Sequence, residues 1–117
     1  MMPDAVTFSF KDETLTILTT GAAIEFDLPI EKVVSCGTGL AILLSVPTGK
    51  IENENVFGVS AGGDVIWQIE KIPHVYEDSP YTNIFIQDEA LLAINWDGDE
   101  VRINYKNGFT DRIGYKK

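Results

Sequence analysis

The chain has 117 residues, with 9 Lys plus Arg against 18 Asp plus Glu and a formal net charge of −9. Hydrophobic residues make up 44% and charged residues 23%, a balance that sustains one core and excludes a disordered chain. So negative a charge argues against general nucleic-acid binding and against an anionic membrane surface, since both draw on clustered Lys and Arg.

The start, Met1-Met2-Pro3-Asp4, carries no basic n-region and leads into no apolar h-region, so a cytoplasmic protein without a secretory leader is expected. No apolar run reaches the ~18 residues that span a bilayer. The basic residues are scattered, and only Lys116 and Lys117 are adjacent.

Val, Ile and Thr supply 31 of the 117 residues, which biases the chain toward strand. Val6, Phe8 and Phe10 alternate with Thr7 and Ser9, and the polar turn Lys11-Asp12-Glu13 follows. Leu15 and Ile17 alternate with Thr14 and Thr16 up to Thr20-Gly21, and Ile24, Phe26 and Leu28 alternate with Glu25 and Asp27. Residues 29–35 have the length of one helical turn, with Glu31 and Lys32 toward water; nowhere else does the sequence suggest a helix. Residues 40–46 are apolar almost throughout and read as a central strand.

After the irregular stretch 47–55, strands are expected at 56–60 and 65–69 around Gly62-Gly63-Asp64. Residues 73–81 hold two prolines, which forbid a central strand there. Strands at 83–87 and 90–96 flank the turn Gln87-Asp88-Glu89, and Asp97-Gly98-Asp99 leads to Val101, Ile103 and Tyr105 in alternation. The pair Asn107-Gly108, the strongest hairpin signal in the chain, precedes a last strand at 109–115. The expectation is a single all-β domain over 1–117. It has about ten short antiparallel strands in consecutive hairpins, arranged as propeller-blade-like sheets, with a β-sandwich or barrel as the alternative.

An internal repeat supports hairpins as the unit. Val56-Phe57-Gly58-Val59-Ser60 aligns with Leu91-Leu92-Ala93-Ile94-Asn95 at an offset of 35, which puts Gly63-Asp64 on Gly98-Asp99 and Ile66 on Val101. A weaker copy at offset 42 puts Leu15-Thr16-Ile17 upstream, with Gly21 on Gly63.

The segment Val56-Phe57-Gly58-Val59-Ser60-Ala61-Gly62-Gly63-Asp64-Val65-Ile66-Trp67 resembles a blade repeat of the quinoprotein-like (PQQ-repeat) β-propellers. That resemblance implies blade-like sheets with Trp67 packed between neighbouring blades. Ser60 stands where the family's acidic residue is usual, and Arg102 where the second copy's tryptophan would be. No quinone-binding residues have counterparts, so no cofactor is carried over. A blade takes roughly 40 residues and a closed propeller at least about four blades, more than this chain holds. The layout of Trp67-Gln68-Ile69, Ser79-Pro80-Tyr81 and Asn95-Trp96-Asp97-Gly98 also resembles small bacterial proteins, a resemblance that implies no activity.

Cys36 and His74 are the only Cys and His, too few for a Cys-His zinc site and for an internal disulfide. A Cys36–His74 nucleophile pair is arithmetically open, but Cys36 in its apolar stretch reads as a small core residue. Asn95, Asp97 and Asp99 alternate as calcium ligands do, yet Gly98 falls in the wrong place and no closing Glu follows. A solvated hairpin explains them better, and no metal is expected. Glu77 and Asp78, with Asp88 and Glu89, are candidates for the paired carboxylates of glycoside hydrolysis. His74 beside Glu77 and Asp78 has the makings of a base, but no glycine-flanked serine accompanies it.

The loop 73–81 and the Trp96-Asp97 turn form the expected contact surface, with His74, Tyr76, Glu77, Asp78, Tyr81, Trp96 and Asp97 as binding residues. The primary reading is a non-enzymatic interaction module, of the acidic inhibitor or immunity-like kind, steered by its charge onto a basic protein. The alternative is a small carbohydrate- or metabolite-binding protein, or a hydrolase, with Tyr76, Tyr81 and Trp96 as the platform. A third reading is an assembly subunit or homodimer paired through edge strands.

Overall fold

A computed structural model describes residues 6–74 and 76–115. The Met1-Met2-Pro3-Asp4 start, Val75 and the Lys116-Lys117 pair lie outside the described residues. Eleven strands and no helix are present among them. The strands are β1 (Phe8–Lys11), β2 (Thr14–Ile17), β3 (Ala23–Glu25), β4 (Ile30–Cys36), β5 (Gly39–Leu44), β6 (Val56–Val59), β7 (Val65–Gln68), β8 (Tyr81–Gln87), β9 (Ala90–Asn95), β10 (Asp99–Ile103) and β11 (Thr110–Tyr115). They form three antiparallel sheets in chain order, β1-β2-β3, β4-β5-β6-β7 and β8-β9-β10-β11. The expected all-β chain of consecutive hairpins is present, and none of its sheets closes into a barrel. With no helix, nothing in the described residues is long and apolar enough to cross a membrane as a helix.

The second sheet lies between the other two, and β5 explains why. Side chains alternate across a strand, so Leu40, Ile42 and Leu44 face one way and Ala41 and Leu43 the other. The first set packs with Leu15, Ile17, Phe26 and Leu28 of the first sheet and its connection. The second packs with Ile84, Leu91, Ala93, Val101 and Ile103 of the third sheet. A strand apolar on both faces is stable only where both faces are covered. Leu40, Ile42 and Leu43 are nearly or wholly inaccessible to solvent, and each contributes about 1.5–3 kcal/mol by burial.

Residues 29–35 do not form a helical turn; nearly all of them belong to β4. One isolated turn leaves most of its backbone groups unpaired, whereas pairing with β5 satisfies them from Ile30↔Leu44 to Cys36↔Gly39. The β-branched pair Val33-Val34 also favours the extended form.

The 35-residue repeat does not match the architecture either, because it sets β6–β7 of the second sheet on β9–β10 of the third. The structural repeat relates β4–β5 to β8–β9 instead. Ile30↔Leu44, Val33↔Ile42 and Cys36↔Gly39 recur as Tyr81↔Asn95, Ile84↔Ala93 and Gln87↔Ala90. Even the bulge recurs, between Ile30 and Lys32 and between Tyr81 and Asn83. Lys32 and Asn83, 51 residues apart, occupy equivalent places and touch, with Lys32 Nζ donating to Asn83 Oδ1 at 3.0 Å. The long connection 45–55 in one copy faces a three-residue turn in the other, which hides the period in the sequence.

Trp67 sits at the seam between the second and third sheets, 6% exposed, and its Nε1 donates to the Tyr105 carbonyl at 2.7 Å. Gly58 opposite it has no room for a side chain, since a Cβ there would run into the Trp67 indole. Phe10 and Tyr105, the last apolar members of their alternating runs, are 41% and 37% exposed. Tyr105 lies past the end of β10, where its strand alternation no longer applies.

The β8–β9 hairpin turns through Asp88 and Glu89, with φ of 51° and 65°. Two consecutive positive φ values define the turn that favours Asn-Gly, and L side chains pay a steric cost there. Glu89→Gly is therefore expected to raise stability by about 0.5–1 kcal/mol, read as a higher urea midpoint at unchanged slope.

Candidate functional site

Three connections meet at one place on the surface: residues 45–55 between β5 and β6, residues 69–80 between the second and third sheets, and the turn 96–98 between β9 and β10. Three asparagines, two of them buried, tie them together. Asn55 is fully inaccessible; its Nδ2 donates to the carbonyls of Leu44 and Tyr81, both at 2.9 Å, and its Oδ1 accepts from the Tyr81 amide at 2.8 Å. Asn53 accepts from the Ser79 amide and donates to the Glu77 carbonyl. Asn95 donates to the Ser79 carbonyl at 2.6 Å and accepts from the Asp97 amide. The Trp96 amide closes the set on the Pro80 carbonyl. An amide side chain both donates and accepts, so it can stand in for the sheet ladder where two prolines interrupt it.

The seven expected site residues separate into two layers. His74, Tyr81 and Asp97 are below. The His74 and Asp97 side chains are 6% and 2% exposed, and His74 Nδ1 lies 3.6 Å from Asp97 Oδ2. That spacing exceeds a hydrogen bond, and the contact is ionic only when the imidazole carries a proton. Asp97 Oδ1 accepts from the Asp99 amide at 3.0 Å. The His74 ring meets Tyr81 edge-on with centroids 6.5 Å apart. Tyr81 is 3% exposed, and its hydroxyl has no hydrogen-bond partner among the described residues. Burial first, then the charges of Glu54, Asp97, Asp99 and Glu70, push its pKa well above the ordinary tyrosine range.

Tyr76 and Trp96 form the upper layer, 51% and 53% exposed. Their rings stand edge-to-face, with centroids 5.6 Å apart and planes at 83°. With Asp78, Pro80, Val46, Pro47 and Thr48 they line an open depression of about 430 Å³. Glu77 borders a second depression on the far side of Tyr76, beside Glu52, Glu54 and Lys71. Tyr81 is therefore no part of an exposed platform; its ring belongs to the core between the second and third sheets. Val46, Pro47 and Thr48 were not legible as site residues, because only the asparagine clamps bring 45–55 beside 73–81.

Several chemical readings lose their geometry. Asp88 and Glu89 form the turn of the β8–β9 hairpin, whereas Glu77 and Asp78 precede β8 at its other end. The seven residues of β8 put roughly 20 Å between them, against the 5–10 Å that paired carboxylates need. Cys36 lies at the turn of the β4–β5 hairpin, away from the Leu44–Asn55 end where His74 sits, so the two form no nucleophile pair. Asp99 is engaged with Arg112 at 2.9 Å, and no cluster of three metal-ligating side chains occurs among the described residues.

Replacing Asn55 by Ala leaves three backbone groups buried without partners. The expected cost is about 3–5 kcal/mol, measured by chemical denaturation, with Asn55→Asp also destabilising because it removes both donors. Burial pushes the Cys36 thiol up to about 11. The unfolded chain ionises it near its ordinary value of about 8.5, so stability is intact below that pH and declines between about 8.5 and about 11. Tyr81, also raised, extends the decline. Melting temperatures across this range are expected to fall, less steeply in Cys36→Ala.

A comparison with curated proteins finds no match. Residues 5–115 match the model of a family described as a domain of unknown function, DUF7957, and the chain belongs to that family.

Proposed function

We propose that this domain is a non-enzymatic, cytoplasmic binding module, and that the Tyr76–Trp96 face docks a basic protein in the manner of an acidic inhibitor or immunity protein. One observation carries the reading. Two large aromatic side chains, each half exposed, are held at a fixed mutual angle on backbone that buried asparagines clamp from below. Half-exposed aromatics are costly to leave in water, and Tyr and Trp on a rigid support are the side chains that most often anchor an interface. The preformed geometry lowers the entropy lost on binding. The net charge of −9 favours a basic partner and speeds its approach.

Blade-like sheets fit the same reading. Two consecutive four-stranded meanders stacked face to face, with Trp67 at their seam, support a stiff platform with its connections on display. The carbohydrate-binding alternative draws on the same aromatic pair beside Asp78.

The test is capture of partners on immobilised protein, with Trp96→Ala and Tyr76→Ala as controls. A genuine partner is expected to lose about 30-fold or more in affinity to each variant, and about tenfold between low and high salt. Partners held equally by both variants, or indifferent to salt, would refute the reading. A change in Trp96 fluorescence with neutral sugars, and none with any basic protein, would replace it with the alternative.

A further inference from the structure

We infer that the corner between Tyr76 and Trp96 is a receptor for an alkylammonium group, the end of a lysine side chain on the partner. The inference deepens the binding reading and rests on it.

The geometry selects the ligand. The two rings stand at 83° with centroids 5.6 Å apart, and both line the same depression. In this edge-to-face pair one ring offers an open face to the corner, and the other offers the part of its face that the first ring's edge leaves uncovered. A compact, nearly spherical ammonium group can touch both faces at once, while a planar guanidinium stacks on only one. The depression of about 430 Å³ has room for such a head and the methylene stem behind it, and Val46, Pro47 and Pro80 supply apolar walls for the stem.

The charges agree with this. Among the described residues, Asp78 is the one charged residue lining the depression, and no Lys or Arg lines it. Beyond Tyr76, the neighbouring depression carries Glu52, Glu54 and Glu77 against Lys71, so a cation approaches through a negative field. The support is rigid as well. The Tyr76 carbonyl accepts from Ser79 Oγ at 2.7 Å, and the Trp96 amide is bonded to Pro80. A cation at this corner therefore meets walls already in place.

The chain contains its own control. Trp67 is buried at the seam between the second and third sheets, away from this corner, so the Trp96 indole alone should respond to a ligand here. The experiment follows both indole resonances by NMR while tetramethylammonium chloride is added to the intact protein. Methylguanidinium, neopentyl alcohol (a neutral molecule of similar shape) and sodium chloride are titrated in parallel.

The expected result is a saturable shift of Trp96 in the millimolar range, with Trp67 unmoved. Methylguanidinium is expected to bind several-fold more weakly and the neutral alcohol about tenfold more weakly. Tyr76→Ala should abolish saturation, and Asp78→Asn should weaken it several-fold. Trp96→Phe, which keeps a ring, should retain binding as judged by shifts of the Tyr76 and Asp78 amides. All these side chains are exposed, so an unchanged Trp67 resonance confirms the fold of each variant.

An equal response to the neutral alcohol, stronger binding of methylguanidinium, no saturation by about 100 mM, or indifference to Tyr76→Ala would overturn the inference. If tetramethylammonium fails while partner capture still depends on Trp96, the binding surface stands and the ammonium receptor falls. If no partner depends on Trp96 but the ammonium response is specific, the protein-docking reading falls instead.

Discussion

The arrangement of this protein turns on one buried amide. Asn55 joins the end of β5 to the start of β8 through three side-chain hydrogen bonds, in a place fully closed to water. Without it, the Leu44 and Tyr81 carbonyls and the Tyr81 amide would be buried unpaired, and the second and third sheets would have no polar connection at that point. Hydrophobic burial alone brings two sheets together without fixing their register, because it has no direction. The asparagine supplies direction, and the loop 69–80 takes its path from it.

The structural repeat makes the same point from another side. β4–β5 and β8–β9 share pairing and bulge residue by residue, yet their downstream halves diverge. In the second sheet the connection after β5 runs through 45–55 and carries Asn53 and Asn55. In the third sheet the equivalent connection is the short turn at Asp97 and Gly98, where Gly98 takes a φ of 100°. The longer connection of one copy reaches over to hold the loop that enters the other. The exposed aromatic pair stands where these two unequal connections meet, so the site arises from the departure from symmetry.

Two kinds of residue at this site do different work. His74, Asp97 and Tyr81 form a buried layer in which Asp97 shapes the β9–β10 turn through its bond to the Asp99 amide. Tyr76, Trp96 and Asp78 form the face presented to solvent. Substitutions below change the shape of the face, whereas those above change the surface it presents.

The sequence by itself determined the secondary structure class and most strand positions, because alternation of period two and glycine or Asn-Gly turns are local signals. The central place of β5 was legible from its unbroken apolar run. The crowding of prolines, aromatics and acids in 73–81 and 96–97 was legible as well, and the structure brings those two segments together. Residues 29–35 misled because a seven-residue window holds too few positions to separate a helical turn from a strand without its pairing partner. The repeat misled because small-apolar alternation recurs in every hairpin, while the true period was masked by an eleven-residue connection between Leu44 and Val56. Which of Tyr76, Tyr81 and Trp96 would be buried was decided only in three dimensions. Tyr81 follows Pro80 directly, yet its pairing with Asn95 and its bonds to Asn55, 26 positions away, turn the ring into the core.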